Sequence, residues 1–241
     1  MTRATEETLA ARTSPNIDHQ DLRLEEERES VSVRAFKPGF VQDIDVDGLL
    51  GVLPPGSIGR LDVRAGSYVW IDKILATVWL DPSHAGNLGD ELSREVASSF
   101  AIGDIRTIDQ DPIYGLQQLV DIGLRALSSG INDPATAADV THHLARLTLA
   151  AYRAEPTRRV FVGEHAQVFA PHRPGAREML NHGLKAIFRD STDRVSVLCA
   201  LLADVEDLVA LLNESNLDTS DLEEFARSVR SRLESIDDPA E

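Results

Sequence analysis

The sequence predicts an α+β protein, with a small N-terminal antiparallel β subdomain followed by a mainly α-helical bundle that carries one inserted β-hairpin. Three observations carry this expectation. Between Ser30 and Trp79, short alternating apolar segments are punctuated by Gly39, Gly56, Gly59, Gly66 and several prolines, the pattern of strands and tight turns. After Asp81-Pro82 the apolar residues recur at every third or fourth position, which is the period of helices. The stretch Arg158 to Ala170, RRVFVGEHAQVFA, then interrupts the helical run with two β-like pieces around Gly163 and reads as a hairpin.

Taken in order, residues 1–29 are polar, acidic and poor in aromatics, so they are expected to be a flexible lead-in with one short helix. Residues 30–81 form the expected β subdomain: VSVRAF, GFVQDIDV, a short helical DVDGLLGVLP, SIGRLDVR, SYVWID and ILATVW. Within it, Arg64 to Val78 (RAGSYVWIDKILATV) has the form of a tight hairpin. Over those fifteen residues it resembles the barrel-sandwich hairpins of biotinyl and lipoyl carrier domains. Those carriers need a lysine flanked by hydrophobic residues, whereas Lys73 lies between Asp72 and Ile74 and reads as a turn residue without a carrier function.

Residues 82–241 form the expected helical subdomain, although 30–241 can also be read as one compact domain. A helix from Leu88 to Phe100 places Leu92, Val96 and Phe100 on one face. Asp111-Pro112 starts a second helix that runs to Ser128, with Gly130 as its stop, and Asp133-Pro134 starts a third that runs to Ala154. Beyond the hairpin, one helix runs from Pro174 through Phe188, and Thr192 or Asp193 caps another that carries Val195, Leu198, Leu202, Val205, Leu208, Val209 and Leu212. Asp218 to Ser220 caps a last helix, to about Ile236, with an apolar stripe of Leu222, Phe225, Val229 and Leu233.

Composition narrows the function. A chain of 241 residues can bury a real core. A net charge of -16 argues against binding nucleic acid or anionic lipid, while leaving a basic protein partner open. Much of the acidity lies at Glu25, Glu26, Glu27 and Glu29 and beyond Asp218, where charge runs read as solvated faces. No run approaches the roughly 20 apolar residues of a membrane span and no signal peptide is evident, so the expectation is a soluble, cytoplasmic chain. The single cysteine, Cys199, reads as a packed thiol and rules out an intrachain disulfide.

No metal, cofactor or catalytic residue is expected. His142 and His143 are adjacent helical positions facing two directions, His84, His165, His172 and His182 are scattered, and paired-cysteine and HExxH patterns are missing. Walker-type, GxGxxG and GxSxG signatures are missing as well.

What stands out is Arg106 to Ala137, RTIDQDPIYGLQQLVDIGLRALSSGINDPATA. Apolar residues cover most of the circumference of its helix, which predicts burial, with Tyr114, Gln117, Gln118, Asp121, Arg125 and Ser128 on one polar stripe. Asp121 and Arg125 then form a pair that is either a closed structural bridge or part of a polar pocket in which Arg125 holds a carboxylate or phosphate. Asp111 and Asp133 each precede proline and read as helix caps, while Arg106, Thr107, Asp109, Gln110 and Asn132 are harder to explain by capping. Two antiparallel helices divide these residues into two clusters, one of Arg106, Asp109, Gln110 and Asp111 and one of Arg125, Ser128, Asn132 and Asp133. In the third helix Ala135, Ala137, Ala138, Ala145, Ala150 and Ala151 permit close packing, either at the centre of the bundle or between subunits.

This block, together with GFVQDIDVDGLL and the 64–78 segment, resembles a bacterial family of predicted membrane proteins catalogued as domain of unknown function 2254, over roughly Val33 to Ala154. The resemblance implies transmembrane helices ahead of a soluble region, so this chain reads as a free-standing or truncated soluble version. It implies no reaction and no catalytic residues. Two expectations follow: a non-enzymatic, homo-oligomeric interaction or regulatory domain, or a binder of, or enzyme acting on, a small anionic ligand through Arg106 or Arg125. The first is the leading expectation.

Overall fold

A computed structural model describes residues 28–84, 89–154, 160–171 and 174–237. The expected lead-in over 1–27, the helix start at Leu88 and the hairpin start at Arg158 lie outside the described residues. The chain divides into two units, each with its own core: residues 28–111 with 160–171, and residues 112–154 with 174–237.

The first unit contains β1 (Ser30–Arg34), β2 (Gly39–Ile44), α1 (Val46–Val52), β3 (Ile58–Leu61), β4 (Tyr68–Val69), β5 (Ile74–Trp79), α2 (Gly89–Ser98), β6 (Phe100–Gly103), β7 (Val160–Val162) and β8 (Gln167–Phe169). Among the described residues its strands form a five-stranded sheet ordered β1-β5-β3-β8-β7 and a three-stranded sheet ordered β4-β2-β6. Alternation sets the faces. Val33, Ala76, Val78 and Val168 of the larger sheet and Val41 and Ile102 of the smaller one are buried in a shared core with Leu49 of α1 and Leu92 and Val96 of α2.

The α+β architecture expected from sequence is what the structure shows, with three differences in detail in this unit. First, residues 64–78 are not a hairpin. The β4 strand pairs with β2, and β5 pairs with β1 and β3. The cause lies in the turn between them: Asp72 adopts φ 65°, its N–H donates to the Ala35 carbonyl at 2.9 Å, and the Lys73 carbonyl accepts from Ala35 N at 2.9 Å. The loop after β1 thus takes the backbone groups that a β4–β5 hairpin would have used. Second, the β7–β8 hairpin breaks the helical run as expected, yet β8 pairs parallel with β3, which makes the larger sheet mixed. Third, α2 stops at Ser98, and Phe100 opens β6 opposite Ile44, so a residue expected on a helix face belongs to a strand.

The second unit contains α3 (Pro112–Leu127), α4 (Pro134–Arg153), α5 (Ala176–His182), α6 (Leu184–Asp190), α7 (Val195–Asn213) and α8 (Ser220–Asp237). Leu116, Leu144, Leu147, Met179, Leu184, Leu198, Leu201 and Phe225 share its core. The helix α4 is central, packing against α3, α5, α6 and α7, with Ala137 and Ala145 buried at the close approaches. The single helix expected from Pro174 to Phe188 is two, broken at Gly183, where a side chain would come within 2.8 Å of the Met179 carbonyl. Arg194, rather than Thr192 or Asp193, occupies the cap position of α7 and makes no side-chain cap there, while Thr192 turns the chain at φ 34°. Cys199 is exposed, which corrects the packed-thiol expectation: α7 buries the face bearing Leu198, Leu201 and Val205, and Cys199 falls on the other side. Among the described residues no helix is long and apolar enough to cross a membrane.

Candidate functional site

The first cluster is a polar strap, residues 104–111, laid over β2. Its construction begins with a defect in the sheet, since the β2–β6 register shifts between Val41 and Asp43. The two-residue β4 also ends its pairing with β2 at Phe40, so the outer edge of Ile44 has no strand beside it. The Gln110 carboxamide takes that place: its oxygen accepts from Ile44 N at 3.2 Å, and its nitrogen donates to the Ile44 carbonyl at 3.3 Å and to the Asp43 carboxylate. Further along, Gln42 Nε2 donates to the Ile105 carbonyl at 2.8 Å, and Thr107 Oγ1 donates to the Gln42 carbonyl at 3.2 Å. Gly103 permits this crossing, because a side chain there would collide with the Gln42 amide.

Arg106 and Asp111 close the strap. Arg106 donates from Nε at 3.0 Å and from Nη2, both to Oδ2 of Asp111, whose residue is 4% exposed. Gly66, at φ +84°, lies directly under this pair, and a Cβ there would fall on the Asp111 carboxylate. Asp111 was expected as a cap for the helix that follows, and its carboxylate accepts from Arg106. Asp109 is exposed, and its charge, with that of Asp45, adds to burial in raising the Asp43 carboxyl above its ordinary value, against the lowering effect of Gln110.

The second cluster sits at the α3–α4 turn in the helical unit. Asp133 caps α4, as expected: Oδ1 accepts from Thr136 N at 3.1 Å and Oδ2 from Thr136 Oγ1 at 2.6 Å, and these bonds hold its carboxyl below the ordinary value. Ser128 Oγ donates to the Arg125 carbonyl at 2.6 Å. Asn132, at φ 50°, is the left-handed residue of the turn, a place expected for Gly130; its N–H donates to the Ser128 carbonyl at 2.8 Å. Asp121 and Arg125 are exposed, not enclosed. The burial expected for their helix was overstated because Ile122, counted among its apolar residues, is itself 42% exposed. Thus Asp121 and Arg125 stand on an outer face with Gln117, while Ile113, Leu116, Leu119, Val120 and Leu127 face the core.

Two polar groupings were not anticipated. Asp204 of α7 accepts from Thr141 Oγ1 at 2.8 Å and meets His142 Nδ1 at 2.7 Å, tying α7 to the central α4. Asp204, the first of three acidic residues in a mostly apolar helix and set between Ala203 and Val205, was the available sign. Arg194 Nη2 donates to the Leu127 carbonyl at 3.1 Å, placing a cation on the C-terminus of α3. In the β unit, a shallow cleft of about 390 Å³ is lined by Arg28, Ser57, Gly163, Glu164, His165 and Gln167, among others. Ser57 Oγ is buried there without a hydrogen-bond partner among the described residues, and none of the strap residues lines it. Among the described residues no group of three or more metal-ligating side chains comes together.

Comparison with known proteins agrees with the sequence resemblance. The family model described as predicted membrane protein (DUF2254) matches residues 1–207. An uncharacterised protein of Mycobacterium bovis and one of Mycobacterium tuberculosis strain H37Rv are each 34% identical over 178 residues, covering 72% of this chain and 34% of the relative. The chain therefore spans about a third of the length of these relatives. No solved structure matches. With the match running through both the strap and the α3–α4 turn, the chain belongs to the predicted membrane protein family DUF2254.

Proposed function

We infer that this chain is a non-enzymatic interaction or regulatory module that works as a homo-oligomer through its helical unit. The observation that carries the reading is α7, which buries one side in the core and leaves several apolar or small side chains outside it, on faces they share with the exposed Glu206 and Asp207. Val195 is 42% and Leu211 40% exposed, and Cys199, Ala203 and Ala210 are exposed with them. Exposed apolar side chains on such a helix gain by being covered. The alanines of α4 support the internal role of that helix, so the contact between copies falls to α7. Size-exclusion chromatography with light scattering tests this: a mass above the 26.4 kDa chain that falls on dilution is expected, and glutamate at Val195 and Leu211 should restore the monomer. A monomer across a wide concentration range counts against the reading. The alternative, an anionic ligand held by Arg106 or Arg125, draws no comparable support, because Arg106 is directed onto Asp111 and Arg125 lies on an outer face.

A further inference from the structure

One end of the β unit brings together residue types that are scarce elsewhere in the chain. The loop after β1 and the turn before β5 are stitched by the two Ala35 backbone bonds and by Arg34 Nη1, which donates to the Asp72 carbonyl at 2.8 Å. That stitching sets Phe36 and Lys37 beside Trp70, Ile71 and Lys73. The sequence has only three lysines, and two of them, Lys37 and Lys73, are here; so is one of its two tryptophans. Phe36 is 65%, Trp70 69% and Ile71 59% exposed. Tyr68 bridges Phe40 and Trp70 edge to face, with ring centroids 5.0 Å apart in both pairs, so the exposed indole stands on a rigid aromatic stack anchored in β2.

Three large apolar side chains exposed together on a chain with a net charge of -16 suggest an occupant, and the local charge indicates which. Arg34, Lys37 and Lys73 are all exposed against Asp72 in the same turn, so the tip carries an excess of positive charge where the chain as a whole is acidic. Acidic groups beyond the Debye length of about 8 Å are screened at physiological salt, so the near cations dominate what a charged surface feels. Protein interfaces are depleted of lysine at their centres, whereas aromatic rings ringed by Lys and Arg are the composition of the membrane–water interface. We propose that the tip formed by residues 34–37 and 68–73 inserts Phe36, Trp70 and Ile71 into the headgroup region of an anionic phospholipid bilayer, with Lys37 and Lys73 on the lipid phosphates. The insertion is peripheral, by side chains on two turns, and requires no spanning helix. It is independent of self-association through α7.

The test is co-sedimentation of the full chain with phosphatidylcholine vesicles, with and without phosphatidylglycerol, together with tryptophan emission. Binding is expected to the phosphatidylglycerol vesicles, weakening with salt, and with a blue shift as Trp70 leaves water. Trp79 is already buried, so W70F should abolish the shift while leaving a folded emission signal. Replacing Trp70 and Ile71 together with serine should weaken partitioning about ten-fold or more, and K37E with K73E should remove the preference for phosphatidylglycerol. Because these positions are exposed, the thermal midpoint should stay within a degree or two of the parent, roughly the effect of a neutral surface substitution. No binding to anionic vesicles, equal binding to phosphatidylcholine alone, or unchanged binding by the serine variant would each overturn the proposal. So would loss of a protein–protein contact in the serine variant of a chain that ignores vesicles.

Discussion

At the scale of single residues, the strap turns on Arg106, Asp111 and Gly66. Asp111 is buried, and the Arg106 guanidinium that donates to its carboxyl offsets its desolvation. Arg106→Ala should therefore lower stability by about 2 kcal/mol, read from urea denaturation, because it removes charge-assisted hydrogen bonds to a buried carboxylate. Gly66→Ala should cost about as much from a different cause: a side chain at positive φ pressed into that carboxylate. Asp43 contributes in the opposite direction to the capping aspartates. Its carboxyl is raised by burial and by Asp45 and Asp109, so the folded state binds its proton more tightly than the unfolded chain does, and its contribution is lost as pH rises through the raised value. Asp133, Asp193 and Asp218 are lowered by hydrogen bonds to the ionised form, first from Thr136, Thr192 and Ser220 respectively, so their contributions are present above the ordinary carboxylate range and are lost on acidification. Asp43→Asn should raise the thermal midpoint at neutral pH and steepen the loss of stability in acid, whereas Asp133→Asn should lower the midpoint and flatten that loss. Thermal melts between pH 3 and 8, spanning roughly the carboxylate range and neutrality, would show a mistake in either sign.

At the scale of elements, a side chain does the work of a strand. Gln110 pairs with both backbone groups of Ile44, and Gln110→Ala should cost about 1 kcal/mol and expose that edge to faster amide hydrogen exchange at Ile44. None of this was legible beforehand, since the need for Gln110 arises from a two-residue β4 and a bulge in β2, and both depend on pairings distant in sequence. The strands themselves were legible, because alternation and glycine punctuation are local. Their partners were not: Arg64 to Val78 has every local mark of a hairpin, and only the hydrogen bonds of Ala35 divert its halves into separate sheets. Similarly, the Asp133 cap is legible in Asp-Pro, whereas the left-handed turn residue is Asn132 although the nearby Gly130 has the stronger local preference for that conformation. The outer position of Arg125 is not legible in the sequence, because the number of apolar residues around a helix does not reveal which of them lack a neighbour. Arg194 at the C-terminus of α3 is another distant contact, and Arg194→Ala should cost about 1 kcal/mol of stability.

At the scale of the molecule, two cores imply two responses to damage. Leu75 is fully buried in the β unit and Leu201 in the helical unit, so alanine at either should cost about 2 to 5 kcal/mol. In calorimetry the two substitutions should displace different parts of the melting profile, and an identical shift of one sharp transition by both would contradict separate cooperative cores. The parallel pairing of β3 with β8 joins Ile58 to Gln167, so the larger sheet cannot close until the chain has passed through α3 and α4. A ribosome producing this protein releases the two central helices before the strand that completes the earlier sheet. Until β8 emerges, one edge of β3 is an open template for other chains. Rapid synthesis through residues 112–169 would shorten that exposure, and a long pause there would lengthen it.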